Sequence, residues 1–244
     1  RLSTAEHSTG CLGQKSRHQE STEIRGELMD IQTWFGYVVE LLPGLVTAMQ
    51  LTGISLALGF PLALLFALLI DIAPKPLNWI VIGVVEIGRG VPLLVLLYIF
   101  YQGLPQIDIV PSAMVAAVSA FTWSTASYAT ETIRSSIQSV PRGQLEAASA
   151  AGLSGVDSFR FVIMPQAARI AIPPLMGLAI IMFQLSSLAY VITISEVMQS
   201  AYFLGTKTFN YLPVFLAAAA VYASITIPAS ALVTSIERRL AKHV

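Results

Sequence analysis

The sequence predicts an all-α integral membrane protein with five transmembrane helices and one charged cytoplasmic loop. Three observations predict it. Only 11% of the 244 residues are charged and 55% are hydrophobic, with a mean hydropathy of +0.71, whereas a soluble domain carries about 25% charge. The apolar residues come in long runs that meet the roughly 20 needed to cross ~30 Å as helix, not in the short alternating strands of a barrel. Between such runs lies a central charged stretch, PRGQLEAASAAGLSGVDSFRFVIMPQA (Pro141–Ala167), which holds Arg142, Glu146, Asp157 and Arg160.

Taken in order, residues 1–28 are polar and mixed in charge, too poor in apolar surface to fold alone. They read as a disordered tail or as the artefact of an upstream start, because Met29 opens a more membrane-like stretch. Residues 29–43 contain Trp34, Phe35 and Tyr37, which suits a short interfacial helix at headgroup level. The transmembrane domain is expected over 44–244. Its first span is Gly44–Ile70, without charge; the second is about Ile80–Gln102, with Glu86 and Arg89. Gly88, Gly90 and Pro92 predict a bend there. The third is about Ser112–Ile133, the fourth about Ile170–Ile194, opened by Pro173-Pro174, and the fifth about Leu212–Ser235.

Basic residues set the orientation. Lys75, the segment with Arg134, Arg142, Arg160 and Arg169, and the tail with Arg238, Arg239 and Lys242 share one side. The positive-inside rule makes that side cytoplasmic, so the C-terminus is inside and, with five spans, the N-terminus outside. The net charge is zero, with 14 basic and 14 acidic residues, which argues against a nucleic-acid partner. His7, His18 and His243 lie outside the apolar runs, Cys11 is the lone cysteine, and neither HExxH nor GxxxxGK[ST] occurs. No catalytic residue, metal site or nucleotide site is expected in this chain.

The central loop, about 139–166, reads as two short helices. Ser139 is placed to cap the first, with Pro141 in its first turn, and Gly152 to end it. Ser154 and Asp157 have capping-box spacing for the second, which Pro165 ends. Ala147, Ala148, Ala150 and Ala151 line the first helix. Small side chains there allow another surface to approach closely, and Glu146 offers a fixed charge. Periodicity alone is also met by an Ala-rich connecting loop.

The run Glu146-Ala147-Ala148, three residues, Gly152, nine residues, Val162-Ile163-Met164-Pro165 resembles the EAA signature of ABC-importer permeases, with Val162 and Met164 in place of Ile and Leu. The resemblance covers about 40–240. Glu86–Pro105, Ser127–Ala148 and Met164–Leu175 are similar to the second span, the third span with its loop, and the fourth-span entry of the polar amino-acid permeases of the histidine, glutamine, arginine and opine type. It implies a type I importer transmembrane domain in a bacterial inner membrane. That domain would work as a pair of identical or related permease chains, with ABC ATPase subunits carrying ATP and magnesium and an external solute-binding protein. By position, Glu146, Ala147, Ala148, Gly152 and Pro165 would couple the ATPase to the spans. Where the family reads Lys-Asp-Thr-Ser-Leu, this chain has Gln184-Leu185-Ser186-Ser187-Leu188, and Gly177 stands at a frequent Asn.

Several polar residues inside the spans have two readings. Glu86 and Arg89, three apart, share a helix face and form a gate at the cytoplasmic end or a local ion pair with Arg89 snorkelling. Glu131 is placed to pair with Arg134. Thr122, Ser124, Thr125 and Ser127 line a path or bond between helices. Gln184, Ser186 and Ser187, within one turn, are substrate-path candidates together with Arg89 and Glu131, or helix-packing residues. Glu196 and the SAYFLGTKTFNYLP stretch belong to the outer side, where the aromatics form an interfacial belt or a surface for a binding protein. The rival class, an ion-driven secondary transporter or channel-like subunit, calls for mid-membrane carboxylates or internal repeats.

Overall fold

The computed structural model describes residues 31–240; the tail 1–28 and Met29 lie outside them. Among the described residues there are helices and no strands. The helices are α1 (Ile31–Ile72), α2 (Lys75–Gly90), α3 (Leu93–Tyr98), α4 (Ala113–Gln138), α5 (Arg142–Ala150), α6 (Gly155–Ser158), α7 (Met164–Leu185), α8 (Val197–Thr208) and α9 (Tyr211–Leu240). By length and apolarity, 32–72, 155–192 and 211–240 suffice to cross a membrane, and the bent pair α2 and α3 with its extension to Ile107 makes a fourth. The expected third span, α4, does not reach that apolarity because Ser and Thr dilute it. It is the most enclosed helix, and Ala116, Ala117, Ala120, Ala126 and Ala129 let its neighbours approach closely.

The expected separate interfacial helix over 29–43 is not what forms over its described part. Helix α1 runs unbroken through Pro43 and Pro61, and Trp34 and Tyr37 pack against the cluster of Leu41, Val197 and Val214. At 42 residues it is about 60 Å long, well beyond a bilayer core. Helices α1 and α4 run parallel. Gly59 lies against Thr125, the Thr130 hydroxyl donates to the Ala63 carbonyl at 3.3 Å, and Arg134 meets Asp71 at 3.4 Å. The chain between them must therefore return across the bundle. It does so after a 105° bend between α2 and α3, where Val91 is extended before Pro92, as a residue before proline prefers.

Gly88 makes the bend's close contact: a Cβ there would lie 2.1 Å from Ser127 Oγ. The Trp123 indole donates to the Val84 carbonyl at 3.0 Å. Beyond the bend, Leu93, Leu96 and Leu97 bury against Phe121, Met182 and Ile192 in the main core. Helix α7 passes antiparallel to α4, with Leu175 and Leu178 on Ala126 and Ala129. Pro173-Pro174 do not open a span, as the sequence suggests; they lie inside α7 in a helical stretch that starts at Gly155.

Candidate coupling and translocation site

The loop between α4 and α7 carries the first candidate site. Ser139 does not cap α5; it ends α4, its hydroxyl donating to the Ser136 carbonyl at 2.7 Å. Pro141 takes the N-cap position of α5 with no side-chain bond, as a residue lacking N–H fits where donors are orphaned anyway. The other end of α5 forms as expected. Gly152 is left-handed, φ 80°, its N–H donates to the Ser149 carbonyl, and the Leu153 N–H to that of Ala148. This double bond set closes the helix through a residue without Cβ. Ser154 caps α6: it accepts the Asp157 N–H at 3.1 Å and donates to the Asp157 carboxylate at 2.7 Å.

Pro165 does not end the second loop helix. The chain stays helical from Gly155 to Ile192, with one wide turn at Phe159–Ile163 just before the proline. A wider turn shifts the bonding register, which eases the missing Pro165 donor. The second loop helix, α6, thus leads into the following long apolar helix without a hinge between them. Of the signature residues, Glu146, Ala147, Gly152 and Pro165 are exposed and Ala148 is buried at 5%. Leu145, Leu153, Val156 and Phe161 are also exposed, so the loop presents an apolar surface around a carboxylate. Gln166 ties α5 to the span start, donating to Gln144 at 3.4 Å and to the Val162 carbonyl at 2.9 Å.

The second candidate site is a charge cluster. Arg89 reaches Glu86 at 3.3 Å and Glu131 at 3.6 Å, and the Tyr128 hydroxyl donates to the Arg89 carbonyl at 3.1 Å. Both earlier candidates, Arg89 and Glu131, therefore come together at the bend. The expected Glu131–Arg134 pair is replaced: Arg134 turns to Asp71 on α1. The cluster is half exposed, so its Coulomb gain is small.

Gln184, Ser186 and Ser187 do not share a face. Gln184 is exposed, Ser186 is buried with its hydroxyl on the Phe183 carbonyl, and Ser187 bonds the Gln184 carbonyl. A tight-helix stretch begins at Ser186, which changes the angular spacing that an α-helix would give. Thr125 and Ser127 are buried in packed helix contacts. An apolar cavity of about 260 Å³ opens at mid-length of the long helices, lined by Met49, Thr52, Leu56, Phe183, Ile225 and Thr226.

Sequence reasoning placed Glu196 on the outer side without assigning it a partner. It is 0% exposed. One oxygen accepts the Gln199 N–H at 2.8 Å; the other accepts the Met198 N–H at 2.7 Å and the Tyr222 hydroxyl at 2.8 Å. Its signal in the sequence was the acidic residue just before a helical run, a cap position; the partner on α9 left none.

Residues 59–242 match the family described as binding-protein-dependent transport system inner membrane component. The chain belongs to that family. This permease is 35% identical, over 86% of its length and 92% of the relative's, to the probable amino-acid ABC transporter permease protein YckA of Bacillus subtilis. It is 36% identical to the L-cystine transport system permease protein TcyB of the same organism, over 82% of its own chain and 86% of the other. Among solved structures, it superimposes on one described as an amino acid ABC transporter with histidines. The TM-score is 0.82 at 32% identity, covering 86% of this permease and 99% of that chain. The permease is thus a multi-pass membrane component of an importer, and the loop helix, the bend and the central helix are parts of a transport machine.

Proposed function

We propose that this permease moves a polar amino acid or a related small solute such as an opine, in five passes, working as a pair of permease chains. Two ATPase subunits, which bind ATP and magnesium, grip the two loop helices; a solute-binding protein docks at the opposite end. The loop helix and the C-terminus face the cytoplasm. The observation that carries the reading is the unbroken helical course from α6 into the span ending at Ile192, with α5 held against its start by the Gln166–Gln144 contact. A push on the exposed Glu146 face passes through the short turn at Gly152 and the Gln144–Gln166 contact into that span. Nucleotide-driven closure of the ATPases then biases the spans between two arrangements, and solute shifts them only by its differential affinity. Arg89, Glu86 and Glu131 hold the bend of α2 to α4 close to the loop and serve as a charged clasp on that motion. The small-residue contacts of α4 permit sliding without a change of packing partner.

The ion-driven alternative calls for a mid-membrane carboxylate. Glu196 is buried, but both its oxygens are committed to donors, which suits a structural role.

The test is ATP hydrolysis in proteoliposomes. The permease is reconstituted with the ATPase and binding protein encoded beside it, and challenged with L-cystine, L-glutamine, L-arginine, L-histidine and octopine. One ligand is expected to stimulate hydrolysis, and Glu146→Lys to abolish the stimulation by repelling the partner cleft. A system in which no ATPase associates with the permease, with or without a second permease chain, would sink the proposal.

A further inference from the structure

Three elements meet at Glu196. Gly44 of α1 lies so close that a Cβ would sit 2.6 Å from the Glu196 carbonyl carbon. The carboxylate caps α8 through the Met198 and Gln199 amides, and Tyr222 of α9 donates to it. The Ser186 side chain adjoins the same hydroxyl. Capping alone needs one short acceptor, which Ser, Thr, Asp or Asn supplies. Glutamate's extra methylene lets its second oxygen serve a cap amide and Tyr222 together, so the residue does more than cap.

We propose that Glu196 is a positioning residue for transport: it pins α8 to the last span through Tyr222, so that contact made on α8 reaches the wall of the membrane cavity. The inference rests on the importer reading, in which α8 faces the binding protein. Helix α8 presents Tyr202 and Phe203, the latter 63% exposed, at the end of the bundle opposite the loop helix. Tyr222 lies ring to ring with Phe183 at 5.5 Å, and Phe183 lines the cavity with Thr52 and Thr226. From Glu196 the side-chain contacts run through Tyr222 and Phe183 to the cavity wall, and the backbone of α8 joins its exposed face to Glu196. The link into α8 is also over-determined. Thr193 is left-handed, φ 68°, an unfavourable state for a β-branched residue, and it persists only where surrounding contacts enforce it.

Two variants separate the pin from the cap. Tyr222→Phe keeps the ring and leaves the cap intact; Glu196→Asp keeps a capping acceptor but is too short for Tyr222. Each is reconstituted as the full assembly in nanodiscs with the ligand panel above. Stimulation of ATP hydrolysis by the loaded binding protein is expected to fall at least about fivefold, the scale of coupling between two sites. Hydrolysis without the binding protein, and the affinity for it, are expected to stay unchanged. The double variant is expected to be no worse than either single one, because both cut the same link. Stimulation equal to the unaltered permease in both variants overturns the proposal and leaves Glu196 as a cap. Hydrogen exchange on the permease alone gives a readout independent of partners: Tyr222→Phe speeds exchange across Val197–Thr208 if the pin exists, and unchanged protection overturns it. If the unaltered assembly shows no stimulation, the importer reading fails, and exchange alone decides the pin.

Discussion

Two glycines that look alike in sequence have different tasks. Gly44 and Gly36 both lie in α1. Gly44 has no room for a methyl group, while nothing lies within 4 Å of a Cβ on Gly36. Gly44→Ala must push α1 from the Glu196 backbone and is expected to lower stability by about 1–3 kcal/mol, the usual cost of overpacking. Gly36→Ala should be neutral or stabilise by up to about 1 kcal/mol through helix propensity. Thermal unfolding in detergent compares them; equal melting temperatures would mean that the Gly44 contact is slack. Gly152 is different again, since its left-handed backbone, not crowding, excludes a side chain.

At the scale of elements, the bend between α2 and α3 is set by backbone, not by charge. Pro92 withholds a donor and holds Val91 extended, and Gly88 lets α2 settle on α4. The Arg89–Glu131 pair lies on that frame with side chains a third to a half exposed. Removing it should therefore cost little. Glu131→Gln is expected to change stability by no more than about 1 kcal/mol and to couple with Arg89→Gln in a double-mutant cycle. A loss several times larger would mean that the clasp, and not the proline, sets the bend. A similar logic governs α7: two prolines stay inside a helix because neighbouring helices hold it, as is usual in membrane bundles.

For the whole molecule, the parallel course of α1 and α4 fixes which termini share an end. The loop helix, Asp71 and Arg134 gather at one end; Asp108, Thr193 and α8 lie at the other. The proposed orientation puts the first end in the cytoplasm. Single cysteines at Ser149 and Thr206, in a background with Cys11 replaced, are expected to react with a membrane-impermeant thiol reagent from opposite sides of intact spheroplasts. Thr206→Cys should label without permeabilisation and Ser149→Cys only after it. The reverse pattern would invert the topology, and labelling of both from one side would overturn the odd number of passes.

Composition determined the membrane class by itself, because water cannot be kept from this much apolar surface in any other way. The loop was legible too, since its Gly152 stop and its Ser154–Asp157 cap are local bonds between residues close in sequence. The bend at Val91-Pro92 was likewise written locally. What the tertiary structure decided is everything that depends on a distant neighbour. It carried the helix through Pro43, Pro165 and Pro173-Pro174, where packing outweighs a lost bond. It turned Arg134 from Glu131 to Asp71 and separated Gln184 from Ser186. It also buried Glu196 against Tyr222, 26 residues away. A sequence records which groups a residue carries, but a partner brought up by another helix leaves no mark in the local pattern.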